Sequence, residues 1–282
     1  MSELKFQCYL NGGGSEPTGI GEVLGHGSST ISEARRLSAL RRYGILDTPS
    51  EAEFDWFTRM AADLCGMPVS LVSLIDKDRQ WFKSEVGLDL GGARETPLDV
   101  SICKYAILQK GLFEIPDTQQ DERFRNNPFV KGAPHMRYYA GALLETPEGL
   151  PLGTLCVLDR EPRRLTQMQG EALEGLARQL MNLLELRLER RRLGDTLESI
   201  GDPMVVVDES LRVTYANEAA RVCFTLHGEK MVDLELWDAC RISRDRRFAS
   251  AVNHAIQRRE KQETEFFHTS SRKWLSAAVH PS

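Results

Sequence analysis

Val69-Ser70-Leu71-Val72-Ser73-Leu74-Ile75, Asp76-Lys77-Asp78-Arg79 and Gln80-Trp81-Phe82-Lys83-Ser84-Glu85-Val86 follow one another without a break, and their reading decides the fold of the first half of the chain. The first run is short and mostly apolar, reads as a buried strand, and is stopped by Asp76. Four polar residues then suit a hairpin, and the run to Val86 reads as the neighbouring strand. Upstream the period is helical. Leu37, Leu40 and Tyr43 share a face between Glu33 and Gly44, and a second helix over Glu51 to Cys65 sets Phe54, Phe57, Ala61 and Leu64 on one apolar side. Downstream, strands are expected at Phe113 to Pro116, Tyr138 to Glu145 and Leu152 to Leu158, the last two parted by Thr146-Pro147-Glu148-Gly149. The fold class is therefore α+β, a mostly antiparallel sheet flanked by helices.

Outside this block the pattern changes twice. Residues 1–32 carry Asn11-Gly12-Gly13-Gly14-Ser15 and Gly25-His26-Gly27-Ser28-Ser29, a bias that buries too little to offset ordering, and are expected to form a flexible tail before a sensor-sized domain at 33–165. Residues 166–199 hold the longest helical signal. Alternate steps of four and three pick out Ala172, Leu176, Gln179, Leu183, Leu186, Arg190, Leu193, Leu197 and Ile200, a heptad seam with Leu176, Leu183, Leu186, Leu193 and Leu197 as its dimer-forming leucines. The competing reading lays this helix on its own domain's sheet. From 200 to 282 strands return at Met204 to Asp208, Arg212 to Asn217, Thr264 to His268 and Trp274 to Val279, around a helix-rich middle.

A length of 282 residues suits about two domains, and 41% hydrophobic with 27% charged residues describes a chain able to bury a core. A net charge of -5 argues against nucleic acid, because the basic run Arg187 to Arg192 shares its helix with Glu185 and Glu189 and reads as a solvated face. No apolar stretch is long enough to span a bilayer and no secretory signal opens the chain, so a cytoplasmic location is expected. The six cysteines have neither CxxC pairing nor zinc-ligand spacing, which leaves free thiols and no structural metal.

Asp99-Val100-Ser101-Ile102-Cys103-Lys104-Tyr105-Ala106-Ile107, Pro116-Asp117-Thr118, Asp121 to Pro128, Met136 to Gly141 and Gly153-Thr154-Leu155-Cys156-Val157-Leu158-Asp159 stand in an order that resembles the GAF domains at the front of bacterial histidine kinases and diguanylate cyclases. Asp202-Pro203, Val205 to Asp208 and Arg212 to Ala220 resemble a PAS domain over Leu197 to Ser282. PAS domains of this type carry one more strand after the one at Trp274 to Val279. The resemblance therefore implies a sheet one strand short, the missing strand lying in a longer kinase or cyclase chain or coming from elsewhere. Together the two likenesses imply a sensory input module, a homodimer through the linker helix that passes a signal to a downstream output domain or partner kinase and carries no catalytic domain of its own.

The GAF resemblance also implies a ligand pocket drawing on Trp81, Cys103, Tyr105, Asp117, Phe124, Arg137 and Tyr139. Such a site needs an apolar cavity with a few convergent polar groups. Equally, Asp117, Arg123 and Arg137 make an ion-pair network and Trp81 or Phe124 are core. Cys103 is followed by Lys104 rather than the His usual beside covalently attached bilins, and Cys223 lacks the Asn-Cys-Arg setting of flavin photoadducts, so both cofactors are disfavoured and the ligand stays open. Lys104 near Cys103 would favour a thiolate, with Cys156 as a redox partner, against the plainer reading of two buried apolar thiols. Thiol chemistry also keeps a free methionine sulfoxide reductase in view, and a ligand-free dimerisation scaffold is the third alternative. No phosphate-cradling loop or phosphotransfer histidine is present, and His135, His227, His254, His268 and His280 are expected at the surface.

Overall fold

A computed structural model describes residues 4–9, 30–89, 91–224, 230–242, 246–268 and 273–281. The chain forms two units: Val23–Glu189, and a second made of Met1–Glu22 with Arg190–Ser282. The first strand, β1 (Leu4–Tyr9), therefore belongs with the C-terminal part of the chain.

In the first unit, α1 (Thr30–Arg42) and α2 (Ala52–Cys65) lead into β2 (Val69–Ile75), β3 (Arg79–Val86), β4 (Glu95–Pro97), the short helix α3 (Cys103–Ala106), β5 (Phe113–Ile115), α4 (Pro128–Lys131), β6 (Tyr138–Glu145), β7 (Pro151–Asp159) and α5 (Gln167–Ser199). The six strands form an antiparallel sheet in the order β4-β3-β2-β7-β6-β5. Both faces are covered, which is why β2 is buried at every position instead of alternating. Val72 and Leu74 face Leu40, Phe54, Ala61, Leu180 and Leu184 of the helices, while Leu71 and Ile75 face Cys103, Phe124 and Tyr139 on the other side. Gly153 permits the close approach of β7 to β2, since a Cβ there would overlap the Ser73 carbonyl.

Three charged side chains among the described residues of this unit are buried with partners, one of them Asp159, which accepts from Arg163 Nε at 2.8 Å. Arg36 donates to the Ile75 carbonyl at 2.6 Å and pairs with Glu33, and Lys83 donates to Glu51, the Thr48 hydroxyl and the Pro49 carbonyl. Leu64, expected on the buried face of α2, is exposed; Phe54, Phe57, Thr58, Ala61, Ala62 and Cys65 form that face instead, one step round the helix.

The second unit contains β1, then β8 (Met204–Val207), β9 (Val213–Ala216), α6 (Glu218–Phe224), α7 (Leu236–Ala239), α8 (Arg246–Arg258), β10 (Gln262–His268) and β11 (Lys273–Pro281). Its antiparallel sheet runs β10-β11-β1-β8-β9. The expected flexible tail thus differs at Leu4–Tyr9, which form a strand, while its remaining part up to residue 29 lies outside the described residues. The sheet expected to be one strand short has five strands, its centre filled from the far end of the chain. A second core gathers Val205, Val207, Phe224, Leu236, Phe248, Val252, Phe266, Leu275 and Val279. His268 corrects the expectation of surface histidines: it is buried, with Nε2 3.0 Å from the Cys240 carbonyl and its ring edge-on to Phe224. Burial holds its pKa below the ordinary value. His135 and His254 are exposed, and His227 lies outside the described residues.

Candidate functional site

The sheet face opposite α1, α2 and α5 carries a cavity of about 50 Å³. Leu71, Phe82, Ile102, Met136 and Leu158 supply apolar walls, and Gln80, Thr96, Ser101, Cys103 and Tyr139 supply polar atoms. At roughly 10–15 Å³ of such space per water, it has room for a solute of only a few heavy atoms.

Cys103 opens α3, and the strands beneath bring partners to its sulfur. The Gln80 side chain donates from Nε2 at 3.3 Å, the Tyr139 hydroxyl donates at 3.3 Å, and the Cys156 Sγ is 3.9 Å away. Gly141 makes this geometry possible. It pairs across β6 and β7 with Cys156, and its missing side chain leaves a niche that the Tyr139 hydroxyl fills; a Cβ there would overlap that hydroxyl. From this niche Tyr139 also reaches Thr154 Oγ1 at 3.4 Å.

The two thiols are shifted in opposite directions. Burial pushes the Cys103 thiol up, but hydrogen bonding from Cys156, Thr154 and Tyr139 more than offsets this and leaves it below its ordinary value. Cys156 goes the other way, raised by burial and by the sulfur of Cys103 beside it. Lys104 is not the cause, contrary to expectation: its Nζ donates to the Asp99 carbonyl at 2.7 Å and lies over the Tyr105 ring. Cys103 lines the cavity and Cys156 stands behind it on β7.

Of the residues expected at a pocket, Cys103 and Tyr139 line the cavity and the other five do not. Trp81 falls on the opposite face because side chains alternate along β3, so its neighbours Gln80 and Phe82 line the cavity while Trp81 packs in the helix-side core with the Arg94 guanidinium over its ring. Phe124 is core on the cavity side, edge-on to Tyr105 at 5.0 Å. Asp117 and Arg137 form a two-bond pair at 2.9 and 2.7 Å that fixes the segment after β5, and Arg137 holds the Asp117 carboxyl below the usual range. Arg123 pairs separately with Asp121. Sequence reasoning missed Gln80 and Gly141; the alternation along β3 was the signal for the first. Among the described residues no cluster of three or more His, Cys, Asp or Glu is placed to hold a metal ion.

The profile of the GAF domain family matches residues 29–184. The chain belongs to the GAF domain family. A second profile, that of the PAS fold, matches residues 197–282 after the GAF domain. Over 150 residues the chain is 44% identical to the cyclic di-GMP phosphodiesterase PA2567 of Pseudomonas aeruginosa, a match that takes in 53% of this chain and 25% of that protein. The chain thus spans about a quarter of that relative's length. Among solved structures, the GAF domain of an Acinetobacter phosphoenolpyruvate-protein phosphotransferase is 16% identical with a TM-score of 0.42, covering 57% of this chain and 95% of that one. The blue-light absorbing form of the Thermosynechococcus elongatus PixJ GAF domain is 17% identical with a TM-score of 0.40, covering 61% and 97%. With GAF and PAS sensory domains in series, the chain is a sensor module of a signalling protein. No helix among the described residues is long and apolar enough to cross a membrane.

The linker helix α5 uses two faces. Leu173, Ala177, Leu180, Met181, Leu184 and Leu188 pack on the GAF domain's own sheet, and Tyr43 of α1 donates to Glu185. Within the expected seam, Leu176 and Leu183 are half-buried against that same core, Leu197 is half-buried, and Leu186 and Leu193 are exposed at 59% and 66%. The helix ends at Asn217, a buried residue whose Nδ2 donates to the carbonyls of Leu197, Ile200 and Asp202 at 3.3, 3.1 and 2.9 Å. Its Oδ1 accepts from the Met204 and Ala220 amides, so one side chain starts β8, caps α6 and closes α5. Arg221 of α6 adds an ion pair to Glu198 at 3.0 Å.

Proposed function

We propose that the GAF domain senses a small oxidant through Cys103, that Cys156 resolves the oxidised thiol, and that α5 carries the resulting change within a homodimer. The observation that carries this reading is the placement of the two sulfurs, one lining the cavity and the other 3.9 Å behind it. The chemistry balances with a hydroperoxide as oxidant. The Cys103 thiolate attacks the outer peroxide oxygen, the O–O bond breaks, and the leaving alkoxide takes a proton to become an alcohol. Cys156 sulfur then attacks the Cys103 sulfenic acid, and the hydroxyl leaves as water with the Cys156 proton. Two thiols and one hydroperoxide become a disulfide, an alcohol and water.

Closing a bond of about 2.05 Å requires the sulfurs to approach by nearly half their separation. The pull draws α3 towards β7, the strand that precedes α5. Exposed Leu186 and Leu193 on α5 supply the surface on which a second copy packs. The relative's name makes cyclic di-GMP turnover the output that such a module would control in a longer chain.

Intact-mass measurement after brief hydrogen peroxide treatment tests the reading. Loss of two hydrogens, mapped to a Cys103–Cys156 peptide pair and reversed by dithiothreitol, is expected. Oxidation at other cysteines only would defeat it, and turnover of free methionine sulfoxide would make the chain a thiol enzyme.

A further inference from the structure

Thr96 lines the Cys103 cavity, is only 7% exposed, and its Oγ1 has no hydrogen-bond partner among the described residues. Leaving a buried hydroxyl unpaired is costly, so this one calls for a partner that the protein's own groups do not supply. Strand pairing fixes where it stands. Thr96 on β4 lies directly opposite Gln80 on β3, and residues opposite each other across an antiparallel pair share a face. Gln80 lines the same cavity and donates from Nε2 to the Cys103 sulfur at 3.3 Å. The orphaned hydroxyl thus belongs to the side chain beside the one that touches the sulfur.

The other polar groups of the cavity are already engaged. Gln80 and the Tyr139 hydroxyl donate to Cys103, whose sulfur also faces Cys156, and the Ser101 hydroxyl accepts from the Lys104 amide at 3.2 Å. Leu71, Phe82, Met136 and Leu158 are apolar wall, and none of the described residues that line the cavity is charged. An anion would enter without a counter-charge, which disfavours it strongly. A neutral solute with one apolar end and one oxygen able to accept a hydrogen bond fits the lining.

We infer, building on Cys103 as the peroxide-reactive thiol, that Thr96 positions the oxidant by donating to its alkyl-bearing oxygen, and that the cavity selects uncharged alkyl hydroperoxides of about four heavy atoms. As the Cys103 sulfur attacks the terminal oxygen, that oxygen keeps its hydrogen and becomes the sulfenic acid. The O–O bond breaks and negative charge moves onto the oxygen that carries the alkyl group. The Thr96 O–H stabilises this charge and keeps its own proton; the alkoxide takes one from water and leaves as the alcohol. Leu71, Phe82, Met136 and Leu158 hold the alkyl group.

Rates of Cys103–Cys156 disulfide formation in the full chain test this, followed by quenched intact mass and divided by the rate of free cysteine with the same oxidant. In the wild-type protein ethyl hydroperoxide should outpace hydrogen peroxide, which leaves the apolar walls uncovered, and cumene hydroperoxide, which is too bulky for the cavity. Thr96→Val keeps the shape without the hydroxyl and should slow ethyl hydroperoxide by about tenfold or more, as expected for a lost hydrogen bond to a charged group. Thr96→Ser should restore most of the rate, and alkylation of Cys103 by iodoacetamide should keep its wild-type pH profile in both variants. Should valine lower the melting temperature of the GAF domain, Thr96→Ala is read against Thr96→Ser instead. Cumene hydroperoxide reacting as fast as ethyl hydroperoxide overturns the size limit. An unchanged rate without the hydroxyl, or a loss that iodoacetamide shows equally, overturns the role of Thr96 while leaving Cys103 as the sensing thiol. Absence of the disulfide with all three oxidants, in wild-type protein that still alkylates at Cys103, defeats the sensing reading and the role of Thr96 with it.

Discussion

The Sγ atoms of Cys103 and Cys156 stand 3.9 Å apart, on α3 and β7, and only the former borders the cavity. That asymmetry separates a thiol at the cavity wall from one enclosed by its neighbours. Gln80 and Tyr139 strengthen it by donating to the first sulfur.

The pH dependence of labelling follows. Thiolate is the reactive form, so a thiol held below its ordinary pKa reacts at lower pH. Cys103 should reach half its maximal rate with a small haloacetamide at a pH below the ordinary thiol value. Cys65, buried and pushed up to about 11, should remain slow until strongly alkaline pH. Peptide-resolved labelling between pH 5 and 10 measures both, and equal profiles would remove the reactive role of Cys103.

Gly141→Ala tests how that thiol is tuned without touching either cysteine. The added methyl displaces the Tyr139 hydroxyl from its niche, removing one donor to Cys103. The labelling profile of Cys103 should move to higher pH, and Tyr139→Phe should reproduce much of the shift. A profile unmoved in both variants would show that the tyrosine does not stabilise the thiolate.

Asn217→Ala removes five hydrogen bonds at the junction of α5, β8 and α6. At ~0.5–1.5 kcal/mol net for each, and with partial rescue by water, the second unit should lose about 3 kcal/mol in urea unfolding. The GAF transition should not move. Asn217→Asp keeps the acceptor but loses the donors to three carbonyls, and should be no better than alanine.

Opposite faces of α5 should fail in different ways. Leu186→Glu with Leu193→Glu places carboxylates on exposed positions of each helix, so a dimer built on this face should dissociate in sedimentation with the GAF domain's melting temperature unchanged. Leu180→Ala, a fully buried contact, should cost the GAF domain about 2–5 kcal/mol and leave association intact. Association that survives the double substitution would place the dimer contact elsewhere.

Much of the fold could be read from residue spacing, and the failures have identifiable causes. The hairpin at Val69 to Val86, the two strands around Thr146 to Gly149 and the long helix after Thr166 all emerged from period and turn chemistry, because those signals are local. The same locality let Leu64 pass for core, since one helical step separates it from Cys65, and only packing against the sheet chose between them. The helix from Gln167 to Ser199 carries two apolar stripes at once, and its sequence could not say which one its own domain covers.

By itself, then, the sequence determined the α+β class, the boundaries of the long helix and the two family likenesses. Three things were decided by the tertiary structure alone. Cys103 and Cys156 lie 53 positions apart and meet because β7 crosses the sheet beneath α3. Trp81 was turned away from the cavity by the alternation of a strand whose register only its neighbours set. Leu4–Tyr9, set among residues that look like a tail, pair with β8 and β11, and strand pairing depends on a partner's backbone that no local pattern encodes.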